Sequence, residues 1–382
     1  MSVIGIYRQL TARRASRRRT RPGVTSRKAT LLLASGGHPG QKIVFAMNHR
    51  QCFRFAIRLL GLCMLIFALG VAASAEWKER VLYSFQGGSS DGATAAGGVV
   101  FDSQGNLYGV TSGGGSGSCT GSFQCGIAYQ LSPPVQRGGS WTERVLYNFQ
   151  GNQSGDGSSP GGGLVIDKAG NLYGTTGYGG TGGCVLLGSK EGCGTVYELS
   201  PPKTKGGRWR ERVLYSFKGG EDGYVPNGDL VFDSVGNLYG ATIFGGGKGT
   251  TCNSFYQYCG TVFELNPPQQ ESGKWTEKVL HSFAGGTDGA YPNGALTFNG
   301  TGAIYGTTSS GGNQGCKSDS GIGCGTAFKL QPPVKKGAVW TEKMLHRFAD
   351  GDDGAGPNGG LIFDAKGALY GTAGGEEPGS WG

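Results

Sequence analysis

One motif, W-x-E-[RK]-[VM]-L-[YH]-x-F, occurs five times along the chain, starting at Trp77, Trp141, Trp209, Trp275 and Trp340. Each occurrence is followed by an apolar run, a turn and a Tyr-Gly pair, whose tyrosines are Tyr108, Tyr173, Tyr239, Tyr305 and Tyr370. A spacing held this closely marks one supersecondary unit copied in tandem, in which no copy buries its apolar face without a neighbour. The copies run 77–140, 141–208, 209–274, 275–339 and, incompletely, 340–382.

Four strands are predicted within a copy. Strand A, Trp77–Phe85 in the first copy, places Trp77, Glu79, Val81, Tyr83 and Phe85 on one face by period two. Strand B is a short apolar run, seen as Val99–Phe101, Leu164–Ile166, Leu230–Phe232, Leu296–Phe298 and Leu361–Phe363; unbroken apolar character implies cover on both faces. Strand C is Leu107-Tyr108-Gly109 and its equivalents, and strand D is Gly194–Leu199, Gly260–Leu265 and theirs. The B–C link, Asp102-Ser103-Gln104-Gly105-Asn106, reads as a hairpin turn, with Asp accepting from backbone N–H groups and Gly taking a positive-φ position.

No segment after residue 76 carries a 3.6-residue apolar period, so almost no helix is expected there. The 77 glycines recur at fixed places beside Val, Leu, Phe and Tyr, which points to ordered turns. The expected fold is all-β: a β-propeller of about five four-stranded blades, preceded by an apolar leader helix. The fifth copy has no strand D after Tyr370, so the last blade is expected to be incomplete. The competing architecture is an open solenoid, whose edges need cover.

The formal charge of +9 misleads about partners. Residues 1–75 hold 13 Lys/Arg and no acid, whereas residues 76–382 hold 22 Lys/Arg against 26 Asp/Glu. The repeat region is therefore mildly acidic, and no nucleic-acid partner is expected. Arg50, Arg54 and Arg58 precede the apolar run Leu59–Ala73, and Ala73-Ser74-Ala75 has the form of an export cleavage site, so residues 47–75 read as a signal peptide. Uncleaved, the same run is the chain's one expected membrane contact; it is short for a span of about 20 residues. Residues 1–46 form a basic, aperiodic leader, and translation starting at Met47 gives the signal ordinary proportions. The expected location is secreted, periplasmic or at the cell surface.

Eight cysteines fall two per copy in the first four copies: Cys119/Cys125, Cys184/Cys193, Cys252/Cys259 and Cys316/Cys324. Local pairing, even number and an export signal together predict four disulfides. Zinc is disfavoured, because the spacings are wide and unequal and no histidine lies nearby. Closing loops of this size contributes about 2–3 kcal/mol each on loop-entropy grounds.

The segments Leu172-Tyr173-Gly174-Thr175-Thr176 with Gly179-Gly180, then Gly194-Thr195-Val196-Tyr197-Glu198-Leu199, resemble the GloVer tandem-repeat proteins. The pattern returns at Tyr239–Leu265 and Tyr305–Leu330, and more loosely at Tyr108–Leu131. The resemblance implies an exported bacterial repeat protein, often surface-associated, and brings no known catalytic residues.

Loop lengths separate two faces. The D–A and B–C links hold nearly constant length, while the A–B and C–D loops vary and carry all eight cysteines. Function concentrates in loops held by a rigid frame, so the second face is the expected binding face. Its candidates are the A–B loop aspartates Asp91, Asp156, Asp222, Asp288 and Asp353, which could bind Ca²⁺ or sugar hydroxyls or simply make Asp-Gly turns. Phe123, Tyr178, Phe255, Tyr256 and Tyr258 in the C–D loops could stack on sugar rings or pack beneath the loop. No catalytic motif or dedicated metal site stands out, and His281 and His346 occupy the slot held by Tyr in the first three copies. No cofactor is expected beyond Ca²⁺ at the aspartates. The expected function is non-catalytic binding or scaffolding toward extracellular glycan or a surface protein. A secreted carbohydrate-active enzyme and a purely structural surface protein are the alternatives.

Overall fold

The computed structural model describes residues 79–374, apart from short segments at 120–124, 152–153, 187–188, 205, 248–251, 253–257, 271, 313–315, 317–322 and 336. The expected leader helix, the signal segment and Trp77 lie outside the described residues. Val3–Val81 and the residues from Leu82 onward form two compact units. Of the former only residues 79–81 are described, and they form no regular element.

The unit from Leu82 onward is all-β. Its first sheet joins β1 (Gly92–Phe101), β2 (Leu107–Gly114), β3 (Ile127–Ser132) and β4 (Thr142–Asn148) in that order. The second joins β5 (Gly157–Pro160) and β6 (Val165–Ile166) to β7 (Leu172–Gly179), then β10 (Thr195–Ser200) and β11 (Arg210–Ser216); β8 (Val185–Leu186) and β9 (Ser189–Lys190) form a small hairpin in the loop between. The third runs β12 (Tyr224–Phe232), β13 (Leu238–Phe244), β14 (Thr261–Asn266), β15 (Thr276–Ser282). The fourth joins β16 (Ala290–Pro292) and β17 (Thr297–Phe298) to β18 (Ile304–Ser310), β19 (Thr326–Gln331) and β20 (Thr341–Arg347). The fifth has β21 (Ile362–Phe363) and β22 (Leu369–Tyr370). All pairings within these sheets are antiparallel, and the helical content among the described residues is limited to three-residue 3₁₀ turns. Among the described residues the fold is a β-propeller with four complete blades and a two-stranded fifth.

The sheets run out of phase with the sequence copies. Strands B, C and D of one copy are completed by strand A of the next: β3 pairs with β4 from Ile127↔Asn148 to Ser132↔Thr142, and the same step recurs in the next three sheets. The short D–A link acts as a hairpin, while the A–B loop crosses to the neighbouring sheet. Residues 79–86, strand A of the first copy, stand in no described sheet.

Strand B is longer than its apolar run suggests. β1 begins at Gly92 and β12 at Tyr224, and the register slips between Ala96 and Val100 and between Asn227 and Val231. Two residues are inserted there, one of them a positive-φ glycine (Gly97 at 64°, Gly228 at 84°). Such a bulge bends the strand and breaks the period-two pattern that would otherwise reveal it.

Aromatic contacts join neighbouring sheets. The last Phe of strand A meets the strand D aromatic edge-on: Phe149 with Tyr197 at 5.0 Å, Phe217 with Phe263 at 5.1 Å, Phe283 with Phe328 at 5.2 Å. A second set links the strand C tyrosine to the next copy's strand B, as in Tyr173–Phe232 and Tyr239–Phe298. Each pair contributes about 0.5–1.5 kcal/mol beyond area burial. The glycine of Leu-Tyr-Gly makes room for the first set. A Cβ on Gly174 would lie 2.5 Å from the Tyr197 hydroxyl, and one on Gly240 2.6 Å from Phe263 Cζ.

The B–C turn forms as the sequence predicts. Asp102 Oδ1 accepts from the N–H groups of Gln104 and Asn106, and Oδ2 from the Asn106 amide and the Tyr108 hydroxyl. Asp167 and Asp233 repeat the set.

Candidate functional site

The A–B and C–D loops gather on one face and bond to each other. Gly115 N donates to the carbonyls of Gly88 and Asp91, Gly180 N to Asp156, Gly246 N to Gly220 and Gly312 N to Gly286, at 2.7–3.0 Å. All four predicted disulfides are present, with Cα–Cα separations of 5.1–5.5 Å. Each second cysteine also joins its sheet to the next. The carbonyls of Cys125, Cys193, Cys259 and Cys324 accept from the N–H groups of Ser159, Val225, Tyr291 and Gly356 in the following copy. Ser159, Val225 and Tyr291 hold φ of 51–59°, as does Thr94 at the same position of the first copy at 58°. A left-handed conformation costs a non-glycine residue roughly 1–2 kcal/mol, so the frame over-determines this joint. The glycine after each second cysteine admits the next copy's proline: a Cβ on Gly194 would lie 2.5 Å from Pro226 Cδ.

The five A–B loop aspartates take one structural role. In the first two copies the carboxylate accepts from the strand A tyrosine and two backbone N–H groups: Asp91 from Tyr83, Gln86 and Gly92, Asp156 from Tyr147, Gln150 and Gly157. Asp222 accepts from Tyr215 at 2.5 Å and from Lys218 N. In the last two copies histidine replaces tyrosine: His281 lies 3.4 Å from Asp288 and His346 3.0 Å from Asp353, and these carboxylates also accept from Ala284 N and Ala349 N. Each aspartate thus fastens its own loop to its own strand A.

Of the aromatic candidates, Tyr178 lies at the end of β7, half-buried, and Tyr258 precedes Cys259 at φ 78°. Phe123, Phe255 and Tyr256 lie outside the described residues. No group of three or more His, Cys, Asp or Glu side chains among the described residues is arranged to hold a metal ion.

The strand A glutamates Glu143, Glu211, Glu277 and Glu342 each bury one carboxylate oxygen without a hydrogen-bond partner. Burial first, and then the nearby loop aspartate, pushes Glu143 up to about 7 and Glu211 and Glu277 up to about 8. Glu342 is raised for the same two reasons. Glu211 and Glu277 are therefore held largely neutral at neutral pH.

Sequence reasoning passed over a further group. The bulges of strand B converge on a cavity of about 290 Å³, lined by every copy from Gly97-Gly98 in the first to Asn358-Gly359-Gly360 in the fifth. The last three copies carry Asn227, Asn293 and Asn358 there, where the first two have Ala96 and Gly161. Asp229 replaces Gly98, Gly163, Ala295 and Gly360 of the other copies. The available signal was this departure from the repeat.

The four disulfides fit an oxidising compartment, and no helix among the described residues is long and apolar enough to cross a membrane. Solved structures with a similar arrangement include a gluconolactonase-like structural-genomics target (16% identity, 72% of this chain and 70% of that one, TM-score 0.37). An inulosucrase from Halalkalicoccus jeotgali bound to kestose is similar at 13% identity, over 69% of this chain and 73% of that one, with a TM-score of 0.40. The PQQ domain of a pyranose dehydrogenase from Coprinopsis cinerea is similar at 11% identity, over 76% and 91%, with a TM-score of 0.30. No curated protein matches the chain. The Gloeobacter/Verrucomicrobia repeat matches residues 66–248 and 183–382. With the motif copies, the four-stranded sheets and this match in agreement, the chain belongs to the Gloeobacter/Verrucomicrobia repeat family.

Proposed function

We propose that the protein is exported and acts as a non-catalytic binding or scaffold module, recognising extracellular glycan or a surface protein through its disulfide face. The observation that carries this reading is the construction of that face. Loops of varying length are fixed at both ends, by a disulfide and a Cys carbonyl bond on one side and an aspartate clamp on the other. A rigid frame presenting variable loops lowers the ordering cost of binding. The basic-then-apolar leader and the disulfides support export to the periplasm, the medium or the cell surface.

The enzymatic reading is weaker. Glycoside hydrolysis ordinarily uses two carboxyl groups flanking the scissile bond, and among the described residues Asp229 is the one carboxylate lining the axial cavity.

The reading is tested by screening the oxidised full chain against glycans and polysaccharides, with and without Ca²⁺. Saturable retention, lost on changing Tyr178 or Tyr258, is the expected result. Absence of retention by folded protein eliminates glycan and turns the search to protein partners or a structural role.

A further inference from the structure

The axial cavity is lined by neither Tyr178 nor Tyr258 and has its own chemistry. Asn227 donates through Nδ2 to Asn293 Oδ1, and Asn293 Nδ2 lies 3.4 Å from Asn358 Oδ1. A chain of carboxamides has a direction: one end is left with a free N–H donor and the other with a free carbonyl acceptor, whichever way the amides are turned. Here Asn358 Nδ2 is the free donor, with no partner among the described residues. Asp229 Oδ1 accepts from Gly163 N at 2.5 Å, and its Oδ2 has no partner among the described residues.

The cavity therefore offers a donor and an anionic acceptor together. A metal ion uses acceptors only and is repelled by an N–H donor. A carboxylate or phosphate ligand is disfavoured by Asp229. Hydroxyl groups donate and accept at once and match both. The side chains lining the cavity include no aromatic residue and no aliphatic one larger than Ala295, so an apolar ligand gains little there. Its volume of about 290 Å³ is at the lower end of small-molecule sites, about 300–1,000 Å³.

The asymmetry also argues for a site. Where the axis needs only packing, glycine suffices: a Cβ on Gly162 would lie 2.1 Å from the Gly228 carbonyl, and one on Gly294 2.4 Å from that of Gly359. The polar side chains are confined to the third, fourth and fifth copies at positions where the first two have Ala or Gly. This leaves a polar arc on one side of the cavity and open backbone on the other.

We propose that the axial cavity binds one small, uncharged, hydroxyl-rich unit, a monosaccharide or cyclic polyol. Its hydroxyls accept from Asn358 and donate to Asp229. The site deepens the glycan reading by adding a pocket for a single sugar residue, and it stands or falls separately from the loop face.

The test is saturation-transfer NMR on the oxidised full chain with D-glucose, D-galactose, D-mannose and myo-inositol as probes. At least one is expected to bind saturably. Asp229→Asn and Asn358→Ala should each weaken it at least about tenfold, the cost of leaving a polar ligand group unpaired. Ala295→Leu should block it by filling space while leaving every polar group in place. Thermal melts confirm that each variant is folded. Failure of all four probes on folded protein overturns the proposal, as does binding unchanged in all three variants. If binding is lost instead with Tyr178→Ala or Tyr258→Ala, the loop face is the site and the axial proposal is wrong. If polysaccharide retention fails while monosaccharide binding persists, the axial site stands and the loop-face reading falls.

Discussion

A ring of aspartates runs through all five copies on the loop face, and a polar arc at the axis spans the last three; the two are built on opposite plans. The loop-face ring places Asp in every copy, and each carboxylate serves a tyrosine or histidine and backbone groups of its own copy. The axial layer differs from copy to copy, and its bonds cross between copies, as in Asn227 to Asn293 and Gly163 to Asp229. The first ring solves one local problem five times. The second exists only once the copies are assembled. Repetition here marks local scaffold, and departure from repetition marks the proposed axial site.

The largest effect is expected where the axial layer admits no side chain. Gly162→Val drives a branched side chain into the Gly228 carbonyl, and a loss of roughly 4 kcal/mol or more, seen as failure to recover folded protein, is expected. Recovery of a folded variant with wild-type stability would show that the copies meet more loosely than described.

The loop ring should behave as independent parts. Asp156, 5% exposed, leaves Tyr147 and two N–H groups without their acceptor when changed to Ala. A loss of about 2–3 kcal/mol in urea unfolding is expected, against under about 1 kcal/mol for the exposed Asp353→Ala. The double variant should sum the two losses within about 0.5 kcal/mol, whereas Asn227→Ala and Asn293→Ala, in direct contact, should not add.

The half-buried strand A glutamates give a pH dependence of definite sign. Their folded pKa values are raised above the unfolded value near 4.5, so the folded state holds more protons than the unfolded chain between about pH 4.5 and 8. Stability is then greatest at the acid end of that window and falls as pH rises. A melting temperature several degrees lower at pH 8 than at pH 5 is expected, about 2–4 °C for each kcal/mol lost. Glu211→Gln should flatten the slope. A melting temperature that rises across the same window would show that these glutamates do not carry raised values in the folded state.

The smallest effect separates the copies within the ring. His346 is exposed and bonds Asp353, so His346→Ala should cost under about 0.5 kcal/mol. Tyr215→Phe, which removes a shorter bond to Asp222, should cost about 1 kcal/mol. Equal losses would erase the distinction between the tyrosine and histidine copies.

Much of this fold was legible in the residues. The motif interval fixed the copies, the local pairing of an even number of cysteines announced the disulfides, and Asp102 through Asn106 spelled the turn that forms. Strand B was seen only in part, because Gly97-Gly98 and their counterparts interrupt alternation where the bulge lies. The phase of the sheets was not legible, since strands A and D pair equally well in pattern whether they belong to one copy or to two. Asp229 and the three axial asparagines were hidden for a different reason. They lie about one copy apart in sequence and come together only through the convergence of the bulges.

That phase shift bears on how such a chain can change and survive. Every complete sheet is closed by a strand belonging to the following copy. Gain or loss of one whole copy hands the closing strand along unchanged, so copy number can drift without exposing a new edge inside the array. For the same reason a protease that cuts a D–A link frees no blade, because the severed strand stays laced into the sheet behind it while its other end anchors the sheet ahead.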